Sequence, residues 1–473
     1  METIFKLKEN GTTARTEITA GLTTFMTMAY IIALNPNLLT NSAVGTPLWN
    51  GVFLATCIAS AIAMFVMAFA ANKPFCLAPG MGLNSFFAAV VANIATMTGM
   101  TYVASFQAAL VLILIEGIVF LVLSFLNVRE KIVEAIPLGV RLGIAPAIGL
   151  MLMNIGFGSN AGVFSEDGEQ FYAMRDFFGA LTASVAKEKI GSGYSTMVLS
   201  VVTMFMGLFV IILLAKKDVK GSVLLGILAA SAVYWAGSFL FLDTNPFASL
   251  ATANWLPPFQ DMAETTLFKF HFQGFLDIGI FTVITLVIVF CILDMFDTIG
   301  SLVGAASRGG MVDKDGNIPN MKEALLADAV GTVAGACTGT STVTTFVESA
   351  SGVAAGGRTG LTALTCGALF LACVFIAPIA AIIPAPATSA ALIYVGVLML
   401  QGLKNVKFDD LDQMVPVALM LIAMPISGSI GHAIGLGLIS YTVIKLFSGK
   451  VREVSALTCA ISLLFLIKFF LLV

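Results

Sequence analysis

Charge is what this sequence has least of. Of its 473 residues only 11% are charged, against roughly a quarter in an ordinary soluble domain. A water-soluble fold needs a charged surface, and a chain that is 58% hydrophobic with a mean hydropathy of +0.99 cannot hide its apolar residues in one core. A soluble globule is therefore excluded. The net charge is −3 and the basic residues form no dense patch, which argues against a nucleic-acid partner. The seven cysteines, Cys57, Cys76, Cys291, Cys337, Cys366, Cys373 and Cys459, lie in or beside apolar stretches without metal-ligand spacing. They are expected to be small packing residues, not disulfides or metal ligands. No nucleophile–base pair and no cofactor motif appears, so neither an enzyme nor a bound cofactor is expected. Residues 1–17 are polar and charged, with no cleavable signal pattern ahead of the first apolar run, so that run is expected to act as its own targeting segment.

Long apolar runs are what the chain has instead. A hydrocarbon layer of roughly 30 Å asks for about 20 apolar residues per helix. Clear runs lie at 17–39, 51–71, 104–126, 196–215, 221–241, 278–305, 359–383 and 428–446; shorter or more polar ones lie at 81–95, 139–155, 323–337, 344–355, 387–401 and 411–424. Together they predict an all-α polytopic membrane protein with fourteen spans, and an extra apolar segment at 454–472 is left over. Placing the N-terminus in the cytoplasm puts 18 of the 24 Lys and Arg residues on the cytoplasmic side, the asymmetry that orients membrane proteins. Arg141 falls within a span and is expected to snorkel or to touch lipid.

Two of the short runs are interrupted. The third reads Cys76-Leu77-Ala78-Pro79-Gly80-Met81-Gly82-Leu83-Asn84, and the tenth reads Gly339-Thr340-Ser341-Thr342-Val343-Thr344-Thr345-Phe346-Val347-Glu348. Their places, third and tenth of fourteen, suggest two inverted halves of seven spans. Broken spans at matching positions of two halves point to a transporter's binding site. A break frees backbone N–H and C=O groups that lipid cannot satisfy, so it must line a cavity or another protein segment. The Thr and Val content of the second break favours a short extended piece. Asn84 and Glu348 each lie just after a break.

Carboxyl groups inside spans are costly to bury, so they face cavities, find partners or bind protons. Asp294 and Asp297 are three residues apart on the eighth span and share a helical face; Glu348 is on the tenth, Asp328 on the ninth and Glu116 on the fourth. Asp294, Asp297 and Glu348 form a candidate cluster that exchanges a proton on substrate binding. Asp297 and Asp328 are equally suited to bonding Thr, Ser or backbone groups. Glu116 is expected to be an interhelical hydrogen-bond partner outside the site, and His432 a structural residue. Phe346, two residues before Glu348, is placed to stack on a flat ring read at its polar edge.

These residues resemble a known family. Arg15-Thr16-Glu17-Ile18, Met28-Ala29-Tyr30-Ile31 with Asn35-Pro36, Ala78-Pro79-Gly80-Met81-Gly82-Leu83-Asn84, Asp294-Met295-Phe296-Asp297-Thr298-Ile299-Gly300 and Thr344-Thr345-Phe346-Val347-Glu348-Ser349 are similar to motifs of the nucleobase–cation symporter type 2 superfamily. The match is to its hypoxanthine–adenine–guanine permease (AzgA-like) branch and covers nearly the whole chain. Where the ascorbate/xanthine-type branch has a Gln-Asn pair, this chain has Glu348-Ser349, which argues against xanthine, urate or uracil. The resemblance implies a uracil-permease fold of 7+7 inverted spans. A core domain would comprise residues 17–126 and 278–383, and a gate domain residues 136–241 and 387–446, with 454–472 outside the scheme. It implies Asn84, Asp294 and Glu348 as purine-contacting residues, with Asp297 supporting coupling or site geometry; position adds Phe346 to the expected binding residues, and Asp328 and Thr345 are expected in coupling or support. It also implies uptake of purine bases across the cell membrane, driven by a cation expected to be a proton, by elevator-like movement, in a possible homodimer. The alternatives kept open are an anion channel or exchanger on the same fold and a uracil- or xanthine-specific permease.

Overall fold

The computed structural model describes residues 2–126, 136–158, 193–308, 311, 318–427 and 430–471. Most of the loop between the apolar runs 139–155 and 196–215, residues 159–192, and the basic residues Arg129, Lys131 and Lys314 lie outside them. The principal elements run α1 (Ala14–Met28), α2 (Ile31–Leu39), α3 (Pro47–Val66), β1 (Leu77–Pro79), α4 (Met81–Thr98), α5 (Tyr102–Leu126), α6 (Leu138–Phe157), α7 (Tyr194–Lys216) and α8 (Ser222–Phe241). They continue with α9 (Ile280–Arg308), α10 (Met321–Thr338), β2 (Val343–Thr345), α11 (Ser349–Ala354), α12 (Gly360–Ala372), α13 (Ala385–Met399), α14 (Leu411–Ser427), α15 (Ile430–Phe447) and α16 (Ala456–Leu471).

Among the described residues, ten helical segments are long and apolar enough to cross a membrane, and three shorter apolar helices, within α14, α15 and α16, join them. The third and tenth runs are part strand and part helix, as their composition suggests. The first run differs from expectation. It is not one helix over 17–39 but α1 and α2, parted at Ala29-Tyr30. All seven cysteines are free.

Loops expected on one side meet on one side. Asn72 donates to the Phe5 carbonyl, Asn320 to that of Ala71, and the Gly360 N–H to Asn72. At the opposite end Gln107 donates to the Thr265 carbonyl, and the N–H of Phe268 to that of Cys337. Near the first end Glu17 is fully buried, and its carboxylate accepts from the Arg358 N–H (2.8 Å), the Thr359 N–H (3.2 Å) and the Thr362 hydroxyl (2.6 Å). One carboxylate thus satisfies donors at the start of α12, which otherwise lack partners within the helix.

The helices sort into two packed sets. α1 packs on α12, and α3 and α5 pack on α10. In the other set α6 packs on α13 and α14, and α7 on α8 and α13. In this second set Gly149 of α6 meets Gly396 of α13 backbone to backbone, where a Cβ on either would lie 2.5 Å from the other's carbonyl oxygen. Small residues at such crossings let backbones meet without a hydrophobic driving force from lipid.

α16 answers the question left by 454–472. Lys445 pairs with Glu453 at 2.6 Å, Thr442 bonds Ser462 at 2.9 Å, Phe465 packs at Gly435, and the rings of His432 and Phe469 meet edge-on. This register makes α16 an antiparallel return along the whole of α15, and His432 is part of that packing.

Two outcomes are expected. Gly149→Ala or Gly396→Ala forces α6 and α13 apart and lowers the melting temperature of the purified protein, at an overpacking cost of about 1–3 kcal/mol. Glu17→Ala strands two backbone donors and destabilises by a similar amount. Unchanged melting curves would contradict these packing assignments.

Candidate substrate site at the strand crossing

The two interrupted segments meet each other. β1 and β2 pair antiparallel, with Leu77 opposite Thr345, Ala78 opposite Thr344 and Pro79 opposite Val343. The ladder is extended at both ends, where the Gly80 N–H donates to the Thr342 carbonyl (3.1 Å) and the Phe346 N–H to that of Cys76 (3.0 Å). Each break thereby supplies the backbone partners the other needs, in a layer where water cannot. Residues 74–87 and 340–346 are all buried. Gly80 has no room for a side chain, since a Cβ would lie 2.5 Å from Thr344 Cγ2 and 3.0 Å from Asp297 Oδ2.

Side chains fasten the crossing to its surroundings. The Ser341 hydroxyl donates to Asn84 Oδ1, and Asn84 Nδ2 donates to the Pro79 carbonyl at 3.1 Å. The Ser349 hydroxyl accepts from the Cys76 N–H at 2.9 Å. Asn35 of α2 donates to Thr56 (2.7 Å) and to Thr340 (2.9 Å). The Thr342 hydroxyl donates to Glu116 Oε2 at 2.7 Å. Glu116, expected to join two helices, instead bonds Thr342 just ahead of the second strand.

The expected acids gather around this point. On α9, Thr298 Oγ1 lies 3.0 Å from Asp294 Oδ1, 2.8 Å from Asp328 Oδ1 of α10 and 2.6 Å from Thr344 Oγ1 of β2. One hydroxyl carries one proton, so it cannot donate to both carboxylates at once. Asp297, one helical step on, is within electrostatic reach of both Asp328 and Glu348. Glu348 accepts a hydrogen bond from the Tyr30 hydroxyl at 2.8 Å. Neither Asp297 nor Glu348 has an ion-pair partner among the described residues.

Accessibility divides the set. Asn84, Asp294 and Asp328 are fully buried, and Phe346 and Thr345 nearly so, whereas Asp297 and Glu348 are half-buried and Val347 is 59% exposed. The exposed residue of the crossing is therefore Val347, next to Glu348, while Asp297 lies against Gly80. Thr345 Oγ1 has no hydrogen-bond partner among the described residues. From the other helix set, Tyr394 of α13 is within electrostatic reach of Glu348.

Three residues here escaped the sequence reading. Tyr30 stands at the α1/α2 break, inside a motif whose role was not assigned. Thr298 and Ser341 are ordinary hydroxyls whose partners are 30 and 257 residues away. No local signal marks them: Tyr30 lies in an apolar run that composition leaves unbroken, and the partners of the two hydroxyls are set by the fold.

Comparison with known proteins places this geometry. Residues 15–434 match the model of the Permease family, the xanthine/uracil permeases. The chain belongs to this family. It is 36% identical to the adenine permease AdeP of Escherichia coli over 99% of its own length and 95% of that protein. It is also 36% identical to the guanine/hypoxanthine permease PbuO of Bacillus subtilis over 99% of its length and 100% of that protein. These relatives match the AzgA-like branch that the motifs resemble. In fold it is similar to the transmembrane domain of the cyanobacterial bicarbonate transporter BicA, with a TM-score of 0.60, 18% identity, and coverage of 87% of this chain and 96% of that one. The permease is accordingly a multi-pass membrane transporter, not an enzyme.

Tyr30→Phe keeps the ring and removes the donor to Glu348. A hydrogen bond to a charged group contributes about 1.5–3 kcal/mol. The variant is expected to raise KM for transport about tenfold or more, with membrane levels unchanged. An unaltered KM would show that Tyr30 does not position Glu348.

Proposed function

We propose that this permease imports purine bases, hypoxanthine, guanine and adenine, by cation symport at the strand crossing. The observation that carries the reading is the pair of partly buried carboxylates at the strand crossing, Glu348 beside the exposed Val347 and Asp297 at Gly80, neither with an ion-pair partner among the described residues. A purine presents ring N–H donors at its edge and two flat faces. Glu348 accepts from the ring, Phe346 packs on its face, and Asn84 and Asp294 complete the inner wall, backed by Thr298 and Ser341. Asp297, Asp328 and Thr345 act in coupling and support. The names of the relatives, adenine permease and guanine/hypoxanthine permease, favour purines over uracil, xanthine or an inorganic anion.

Proton coupling follows from the cost of moving carboxylates through a low-dielectric layer. A proton taken up by the acid cluster with the substrate neutralises it before the crossing changes sides. In this reading the set built on α1–α5 and α9–α12 is the moving core and the set built on α6–α8 and α13–α15 is the gate. The two are related as inverted sevens, and the core moves as an elevator. The contact partners of each helix support that division, and the clustering of basic residues at the end that holds Phe5, Ala71 and Gly360 supports a cytoplasmic N-terminus. A homodimer is part of the same proposal.

Uptake of radiolabelled hypoxanthine, guanine or adenine by cells lacking their own purine permeases tests it. Asp294→Ala and Glu348→Gln are each expected to cut accumulation to below about a tenth of wild type while the protein still reaches the membrane. Wild-type uptake by both would remove the site assignment. In proteoliposomes an inward proton gradient is expected to drive accumulation, and a protonophore to abolish it; accumulation that follows a sodium gradient alone would overturn the coupling assignment.

A further inference from the structure

A second cavity lies away from the crossing, at the end of the fold that carries the basic loops. It is about 190 Å³ in volume and is lined by Ile136, Pro137, Leu138, Arg141, Tyr441, Glu453, Ser455 and Thr458. A water takes up roughly 30 Å³, so the space admits a group of several heavy atoms. Its walls are the first turn of α6, the last turns of α15, the α15–α16 turn and the first turn of α16.

The charges in this cavity are unevenly matched. Glu453, the acid in its wall, is bound to Lys445 at 2.6 Å, and Lys445 is bound in turn to Asp412 at 2.5 Å. Lys445 also sits 5.7 Å from the centre of the Tyr441 ring. The local acids are therefore already engaged. Arg141 is different. It makes no ion pair among the described residues, and its Nε is buried without a hydrogen-bond partner there. A guanidinium offers five donors in a planar fork that fits phosphate oxygens in pairs. Beside it stands the start of α6 after Pro137, whose first N–H groups favour an anion; at the start of α16 the Ser455 hydroxyl already accepts from the Thr458 N–H at 3.0 Å. Thr458 in the same wall is 1% exposed.

Leu138, in the wall of this pocket, is 47% exposed. A pocket with an arginine inside and an exposed aliphatic side chain in its wall suits a phosphate that carries acyl chains. The basic end of the chain faces the leaflet where anionic lipids and polybasic segments meet.

We infer that the Arg141 cavity between α6, α15 and α16 binds the phosphate of an anionic phospholipid headgroup, holding α16 against the second helix set. The chemistry it recognises is a phosphate ester, and this site is separate from the substrate site, so the inference does not rest on the transport reading. The test uses full-length purified protein in detergent, with thermal shift and native mass spectrometry as readouts. The probes are short-chain phosphatidylglycerol, short-chain phosphatidylcholine and inorganic phosphate, and the proteins are wild type, Arg141→Gln and Thr458→Val. Phosphatidylglycerol is expected to raise the wild-type melting temperature and remain bound in the gas phase, whereas phosphatidylcholine and inorganic phosphate do neither. Its affinity is expected to fall at least fivefold in Arg141→Gln, with purine uptake unchanged. If Arg141→Gln does not fold, the weaker Thr458→Val variant carries the comparison. Equal phosphatidylglycerol binding by wild type and the testable variant would overturn the inference. An equal shift with inorganic phosphate would overturn the lipid assignment in favour of a soluble phosphate.

Discussion

The antiparallel pairing of β1 with β2 is the constraint on which the rest of this molecule depends. An apolar layer offers no water to satisfy a broken helix, so neither interruption is tenable alone. Paired, Cys76 to Gly80 and Thr342 to Phe346 exchange the bonds that each would otherwise lack. The pairing also fixes where everything else must stand. It demands glycine at position 80, because Thr344 and Asp297 occupy the space of a side chain. It also sets Asn84 beyond the Gly80–Thr342 end and Glu348 beyond the Phe346–Cys76 end of one short ladder, although they come from opposite halves of the chain.

Polar residues around the crossing divide into those that hold it and those that are left open. Ser341, Thr342, Asn35 and Ser349 spend their hydrogen bonds on the strands and their immediate supports. Thr298 ties two carboxylates and a strand hydroxyl to one oxygen. Glu348 and Asp297 are less completely buried than the residues around them. A rigid, satisfied scaffold beside two accessible acids is the arrangement a binding site requires, since preorganised groups lose little on binding. Tyr30 belongs to the scaffold, yet it reaches an accessible acid. That places the break between α1 and α2 in the same functional unit as the crossing.

Much of this was legible in the sequence because the membrane simplifies the physics. Apolar run length announced the helices, basic residues announced which loops share a side, and Pro79-Gly80 and the Thr/Val run at 340–345 announced the interruptions. Acids in apolar surroundings pointed to Asp294, Asp297 and Glu348 as a candidate cluster, with Asp328 as a separate buried acid. What stayed hidden depends on distance along the chain. Nothing local says that Thr342 meets Glu116, 226 residues earlier, or that Tyr30 meets Glu348, 318 residues later. Nor does an apolar count show that 17–39 is two helices, since Ala29 and Tyr30 keep the run unbroken. The final apolar segment was ambiguous for the same reason: composition gives its length, but only the pairing of Glu453, Ser462, Phe465 and Phe469 along α15 gives its course.

The central claim is that the partly buried carboxylates at the crossing read the hydrogen-bonding edge of a purine. Competitive binding to the purified permease tests it directly, with adenine, guanine, hypoxanthine, xanthine and uracil measured against one labelled purine at two pH values. The account predicts that adenine, guanine and hypoxanthine compete at least tenfold better than xanthine or uracil, and that their affinity changes between the two pH values. Equal competition by uracil and xanthine, with no dependence on pH, would contradict it.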